Sequence, residues 1–377
     1  MPGGVRASST DNAYRQIEVY SEVLQHIQND YVVTPNIHDV SVGALHGLLE
    51  GLDPDSSYLT ANEYKLYQTL QNAGNARVGI DVSKRFGYAT VVAVMPGSAA
   101  DKANIKDGDV IEAINGKGTR VMSLAIIRLL MKGQPGSQIK VSVIRPTSAE
   151  PDDVTLTRSV EDYPAMGTEQ YENSSILYLK PYDLSKDRVN QVVDRLRAMR
   201  KDGNQKVLLD LRDVAEGDMD SAVRLANAFM QAGTITTLEG QKYPKQTFTS
   251  DPKEFVTAAP LAVLVNSGTA GPAEIVAAAL LDSKRADVVG ERTFGAGVMQ
   301  KQIPMPDGAM LFLTVAKYQS PSGIVIQEKG VTPNVEVEAS NNFLTASTSQ
   351  TAAPAGGPAS SDEQLNKALA LLRQKTA

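Results

Sequence analysis

The chain has 377 residues, a formal charge of −6, no cysteine and only three histidines, His26, His38 and His46. Such a length suits two to three domains at roughly 100–200 residues each, and a 42% hydrophobic content without a long apolar run describes a globular chain, not a membrane-spanning one. Disulfide and thiolate chemistry is excluded, the acidic balance speaks against a nucleic-acid partner, and a histidine-based triad or zinc site would have to be built within the first fifty residues. His26 and His46 fall in helix-like stretches and His38 in a polar connection, none with ligand spacing nearby. All three are read as structural, and no metal or cofactor is expected. Met1–Arg6 lacks the apolar core of a signal peptide.

Ile17, Tyr20, Val23, Leu24, Ile27 and Tyr31 recur at helical spacing over residues 12–33. A second amphipathic helix is expected over Val40–Leu52, and Thr60 with Glu63 forms the capping-box pattern of a third over Ala61–Leu70. Residues 1–73 therefore read as a helical N-terminal region. From residue 74 the pattern changes. Arg77–Val82, Ala89–Val94, Val110–Ile114 and Ile139–Ile144 read as short strands, Ala99–Ala103 and Ser123–Met131 as helical pieces, and Asn115-Gly116 as a tight hairpin turn. Thr147–Asp153 is polar and contains proline, as a linker or hairpin tip would, and Val154–Val160 alternates.

Beyond Ser175, strands and helices take turns. Strands are expected at Ser175–Leu179, Lys206–Leu211, Leu261–Val265, Ala286–Val289 and Met310–Lys317. Helices are expected at Lys186–Arg200, Ser221–Ala232 and Ile275–Asp282. The alternation predicts an α/β core over 147–340. Ser340–Ser360 is rich in Ala, Ser, Thr, Gly and Pro and reads as a flexible tract. Asp362–Lys375 then places Leu365, Ala368, Leu369 and Leu372 on one helical face behind a Ser361 cap. A helix this short is marginal alone and needs a surface to dock on.

The densest signal lies between Val263 and Gln300. A buried strand runs into the loop Asn266-Ser-Gly-Thr-Ala-Gly-Pro-Ala-Glu274 and then into a helix with Pro272 in its first turn. A strand, a sharp turn and a helix N-terminus are the setting in which many hydrolases expose a nucleophile, because unpaired N–H groups and a positive dipole end face the loop.

Two resemblances organise the rest. Pro96–Ile111 followed by Asn115-Gly116 closely resembles a PDZ domain, over residues 74–146. That likeness implies that a protein C-terminus adds as a strand beside Arg77–Val82, with its carboxylate at Gly79 and Ile80 and contacts from Asp81 and Val82. Leu124, Ile127 and Arg128 would form the helical wall of that groove. The order of helices, PDZ, Leu209-Asp-Leu-Arg212, the Gly-Thr-Ala-x-x-Ala-Glu loop, Thr293-Phe-Gly-x-Gly297 and Gln300 resembles the carboxyl-terminal processing (tail-specific) proteases, serine peptidase family S41. Ala44–Pro54, Pro321-Ser-Gly323 and Gly330–Asn334 add to the match, which covers residues 12–340. The resemblance implies an α/β multidomain fold with a ClpP/crotonase-like core, a Ser–Lys dyad assisted by a glutamine, and an extracytoplasmic setting such as the periplasm or cell envelope.

The chain departs from that family at the chemistry. In the family the nucleophile loop reads Ser/Thr-Ala-Ser-Ala-Ser-Glu and the lysine lies in Thr-Phe-Gly-Lys-Gly. This chain has Thr269-Ala-Gly-Pro-Ala-Glu274 and Thr293-Phe-Gly-Ala-Gly297, so Gly271 stands at the serine position and Ala296 at the lysine position. The oxyanion loop Leu-Arg-x-Asn-Pro-Gly-Gly has become Leu211-Arg-Asp-Val-Ala-Glu-Gly217. Only Gly217 and Gln300 survive of the catalytic set. Ser267 and Thr269 offer hydroxyls and Lys301 and Lys317 offer amines, but a shift of two residues along an extended loop moves a hydroxyl by roughly 6–7 Å. The leading expectation is a pseudoprotease whose PDZ domain binds protein C-terminal tails or unfolded polypeptide, as a homo-oligomer or beside an active paralogue. The alternative is an active serine endopeptidase with a rewired nucleophile. A third reading makes residues 341–377, linker and amphipathic helix, an assembly element.

Overall fold

The computed structural model describes residues 9–145, 148, 150–160, 163–173, 175–199, 201–338 and 362–376. The chain divides into two units, residues 1–52 and 53–377. In the first, α1 (Ser9–Asp30) and α2 (Ile37–Glu50) are joined by a turn in which the Asn36 side chain caps α2 by accepting from the His38 N–H at 3.1 Å. His38 thus lies in the first turn of a helix, where the sequence pattern suggested a connection. α1 leaves Tyr14, Ile17, Val19, Tyr20 and Val23 exposed.

The second unit begins with β1 (Ser57–Leu59) and α3 (Ala61–Gln71), whose capping box is formed: Thr60 accepts from the Glu63 N–H, and Glu63 accepts from the Thr60 N–H at 2.8 Å. β1 corrects the all-helical expectation for this stretch. It pairs with a distant strand, and Tyr64 and Tyr67 of α3 pack against the same cluster as Phe312.

Next come β2 (Ala76–Arg77), β3 (Ile80–Arg85), β4 (Tyr88–Val94), α4 (Ala99–Lys102), β5 (Val110–Ile114), β6 (Lys117–Gly118), α5 (Leu124–Leu130), β7 (Lys132–Gly133), β8 (Gln138–Ile144) and β9 (Asp152–Thr157). The expected single strand over 77–82 is broken at Gly79, whose φ of +82° suits a glycine and whose Cβ, if present, would overlap Ser98. The sheet runs β3-β4-β5-β8-β9 with β6 on β5, so from Asp152 the expected linker gives way to a fifth strand of this sheet. Asn115 and Gly116 both take positive φ, as a tight turn between β5 and β6 requires.

The core comprises β10 (Gly167–Tyr171), β11 (Ile176–Lys180), α6 (Lys186–Ala198), β12 (Lys206–Asp210), α7 (Met219–Asn227), β13 (Thr234–Glu239), β14 (Gln246–Thr249), β15 (Leu261–Val265), α8 (Pro272–Asp282), β16 (Asp287–Gly290), β17 (Val298–Pro304), β18 (Met310–Gln319), β19 (Val335–Glu336) and α9 (Glu363–Gln374). One sheet has the order β10-β11-β12-β15-β16-β19 and is parallel except at β10. Both its faces are covered, which explains why Leu261-Ala-Val-Leu-Val265 is an unbroken apolar run. Leu177, Leu209, Val263 and Val265 pack under α6, α7 and α8, while Ile176, Tyr178, Leu208, Ala262 and Leu264 pack under α9. A second sheet, β1-β18-β13-β14 with β17 on β18, closes the core beside α8.

α9 is pinned at both ends. Asp362 caps it by accepting from the Leu365 N–H at 2.9 Å, in place of the expected Ser361, which lies outside the described residues, as does the 340–360 tract. Arg212 reaches Asp362 at 2.8 Å and Gln364 at 3.2 Å, and Lys206 Nζ donates to the Leu372 carbonyl at 2.8 Å. Arg212 is itself held by Asp210. Burial alone would raise the Asp210 carboxyl, but Lys180, Arg212 and the Tyr178 hydroxyl hold it below its ordinary value. Replacing fully buried Leu372 by alanine is expected to cost about 2–5 kcal/mol, read as a fall in the urea midpoint. A shift indistinguishable from zero would mean that α9 does not dock on this sheet.

Candidate functional site: a cavity between the PDZ domain and the Gly271 loop

Gly271 is the N-cap of α8, with φ +57° and ψ −119°. This left-handed backbone turns the loop sharply before Pro272 starts the helix, whose fixed φ and missing N–H suit a first helical position. Ala296 lies opposite. A Cβ built on Gly271 would find Ala215 O at 3.6 Å and Ala296 O at 3.9 Å and nothing closer. Gly271 and Ala296, the expected serine and lysine positions, therefore lie close together, and neither carries a functional group.

Glu274 holds them there. This buried carboxylate accepts from the Gly271 N–H at 2.9 Å and the Ala296 N–H at 2.7 Å on one oxygen. On the other it accepts from the Gly295 N–H at 2.7 Å and from the Thr293 hydroxyl. Burial drives its pKa up and these four donors oppose the rise, leaving it at about 7. Thr293 Oγ1 in turn accepts from the Val331 N–H at 2.7 Å, so the knot extends to the Gly330–Asn334 segment.

A cavity of about 240 Å³ opens in front of Gly271 and Ala296. Its other wall is the PDZ groove, with Gly79, Ile80, Asp81, Val82 and Arg128 all lining it. Leu124 and Ile127 do not. Both are buried in the PDZ domain's own core, because the apolar stripe of α5 packs inward and leaves Arg128 to face the groove. Arg128 Nε donates to the Val82 carbonyl at 3.2 Å, and its Nη1 meets Asp55 at 3.0 Å. The strand edge is thus strapped by a side chain from the facing helix.

The surviving catalytic candidates are elsewhere. Gln300 donates to the carbonyl of Asp55 and, with Lys301 and Lys317, borders a separate groove along β17 and β18. Exposed Ser267 donates to Asp107 at 2.9 Å, and fully buried Thr269 donates to the Leu211 carbonyl at 2.8 Å. No pair of these hydroxyls and amines meets in the cavity. Gly217 takes a φ of +152° and packs against Leu184, where a Cβ would overlap. Glu216 lines the cavity, and Arg77 neutralises it while stacking on Tyr163 at 4.8 Å. Sequence reasoning missed Arg77, Tyr163 and Glu216 as neighbours of Asp81, and no local signal links positions so far apart. Among the described residues, no group of three or more His, Cys, Asp or Glu is placed to hold a metal. No described helix is long and apolar enough to cross a membrane.

A PDZ-type sheet is thus set against an α/β core, with a helix N-terminus aimed at the cavity they share. Residues 175–337 match peptidase family S41 and residues 90–145 match a PDZ domain. The carboxy-terminal-processing protease of Bartonella bacilliformis is 29% identical over 351 residues, covering 90% of this chain and 79% of the relative. The carboxy-terminal processing protease CtpA of Bacillus subtilis is 29% identical over 337 residues, covering 89% and 71%. The solved photosystem II D1 C-terminal processing protease shares the fold, with a TM-score of 0.70 at 24% identity over 85% of this chain and 92% of that one. The chain is thus similar over most of its length to C-terminal processing proteases, with a match to peptidase family S41 in its core and to a PDZ domain ahead of it.

Glu274→Gln would place an amide NH₂ where backbone donors already converge, leaving at least one buried N–H unpaired, and should cost about 2–4 kcal/mol of stability. Because the folded pKa of Glu274 lies above its ordinary value, the folded state holds an extra proton between those two values. Stability from this group is complete below roughly pH 4.5 and declines as pH rises through 7. Denaturant midpoints across that range should fall in the wild type and fall less steeply in the variant, where Asp81, also pushed up to about 7, keeps its own contribution.

Proposed function

We propose that the protein is a catalytically silent S41 homologue that binds the C-terminal tails of other proteins, or unfolded polypeptide, through its PDZ groove. The observation that carries this reading is the pairing of a formed groove edge with a loop that has neither nucleophile nor base. Gly79 turns the chain ahead of β3, and the Val82 carbonyl points into the groove, where Arg128 finds it. Gly271 and Ala296 meanwhile present only backbone and a methyl group to the same cavity. General-base activation needs a hydroxyl and an amine within hydrogen-bond reach, and Ser267, Thr269, Lys301 and Lys317 are committed or placed elsewhere. The family relationship supports an extracytoplasmic site of action, such as the periplasm or cell envelope.

Calorimetric titration of the full chain with C-terminal peptides tests the binding half. A free carboxylate should bind at least tenfold more tightly than the amidated form, about 1.4 kcal/mol, and equal affinity sinks carboxylate recognition. Arg128→Ala removes the strap from the Val82 carbonyl and should raise tail affinity several-fold, since a bound strand must displace that hydrogen bond. The catalytic half is tested with an unfolded protein as substrate. No hydrolysis above background is expected, and cleavage that disappears on Ser267→Ala or Thr269→Ala would establish an active enzyme instead.

A further inference from the structure

The groove and the emptied loop share one cavity, and strand geometry dictates which part of a bound tail enters it. Ile80 and Val82 turn into the PDZ core, being 8% and 5% exposed, so Asp81 between them turns outward toward the α/β core. Its carboxyl is hydrogen-bonded there to that of Glu216. A tail added as a strand on β3 alternates in the same way. Its final side chain turns inward with Ile80 and Val82. Its penultimate side chain turns outward beside Asp81, into the volume bounded by Gly271, Ala296 and Glu216.

That volume has room, and two carboxyl groups in contact with each other face it. A Cβ on Gly271 would meet nothing closer than 3.6 Å, and the Ala296 side chain ends at its methyl group. Two carboxylates, from Asp81 on β3 and Glu216 on the core loop, share one guanidinium, from Arg77 on β2. Lys132 on β7 also faces Asp81, and the Tyr163 hydroxyl packs against the group without charge. Arg128 faces the same cavity but is committed to Asp55 and the Val82 carbonyl. Burial and the Glu216 charge push Asp81 up to about 7, so at lower pH the two carboxyls share a proton where a cation would fit.

Resting on the tail-binding reading and deepening it, we propose that the emptied dyad cavity is a subsite for the penultimate side chain of a bound C-terminal tail, and that Asp81 and Glu216 select a basic one, lysine or arginine. The ligand's ammonium or guanidinium takes the place of the shared proton, which leaves to solvent. Nothing else in the balance changes: two carboxylates then face Arg77 and the incoming cation.

The test is calorimetry of the full-length chain with four ten-residue peptides that differ only at the end: penultimate Lys, Ala or Glu with a free carboxylate, and penultimate Lys with an amidated terminus. The Lys peptide should bind at least tenfold more tightly than the Ala peptide, with the Glu peptide weakest. Its binding heat at pH 6 should vary with the buffer's ionisation enthalpy, as release of a proton requires, while that of the Ala peptide should not. In Asp81→Asn/Glu216→Gln the Lys-over-Ala ratio should collapse toward one. Equal binding of the Lys and Ala peptides by the wild type overturns the subsite, with no need of a folded variant. A ratio that survives in the double variant also overturns it. Equal binding of the free and amidated Lys peptides would instead remove the tail-binding reading, and no binding by any peptide would remove both.

Discussion

The site's geometry depends on one buried carboxylate. Glu274 collects three backbone N–H groups and one hydroxyl from two loops that are distant in sequence, and so fixes Gly271 against Ala296. A buried carboxylate is tolerated only when its lone pairs are filled, and here all four donors are supplied by the loops it joins. Three of the four come from the main chain. The frame around the cavity therefore depends little on which side chains stand at 271 and 296.

The PDZ domain is set on the core by an apolar cluster, in which Ile126 and Leu130 of α5 pack with Leu59, Met310 and Phe312, and by a set of polar contacts. Arg128 meets Asp55, Arg77 meets Glu216, Asp107 meets Ser267, and Arg85 lies over Phe294 at 4.4 Å. Asp55 is a second hub, since Gln300 and Gln327 reach it from the core while Arg128 reaches it from α5. The side of the groove that a free PDZ domain would open to water is here closed by Ala215, Gly271, Phe294 and Ala296. Ionic contacts of this kind are half-solvated and individually weak, so the shared apolar cluster carries much of the docking.

Much of this was legible in the sequence where one segment carries its own pattern. Leu261–Val265 reads as buried because every residue is apolar, and it lies between two covered faces. Thr60 and Glu63 announce a capping box and form one. What stayed hidden is non-local. β13, Thr-Ile-Thr-Thr-Leu-Glu, and β17, with Gln300, Lys301 and Gln302, are polar enough to pass for loops, and they exist as strands because β18 pairs with both. β1 is three residues long and depends on β18 as well. The same limit explains Leu124 and Ile127. An amphipathic helix shows which stripe is apolar but not whether that stripe lines a groove or its own domain's core. Asp81 and Glu216, 135 positions apart, become partners only when two domains close on one cavity.

The docking of α9 has a consequence for how the chain comes into being. Residues 362–374 seal the face of a sheet whose strands, β11, β12, β15 and β16, begin nearly two hundred residues earlier. During synthesis those strands leave the ribosome long before the helix that covers Ile176, Tyr178, Leu208, Ala262 and Leu264. At about 5–20 residues per second, that face spends on the order of ten seconds uncovered. A nascent chain halted before residue 362 would present an apolar sheet face to any chaperone or protease nearby, so completion of the polypeptide is itself recorded in its surface.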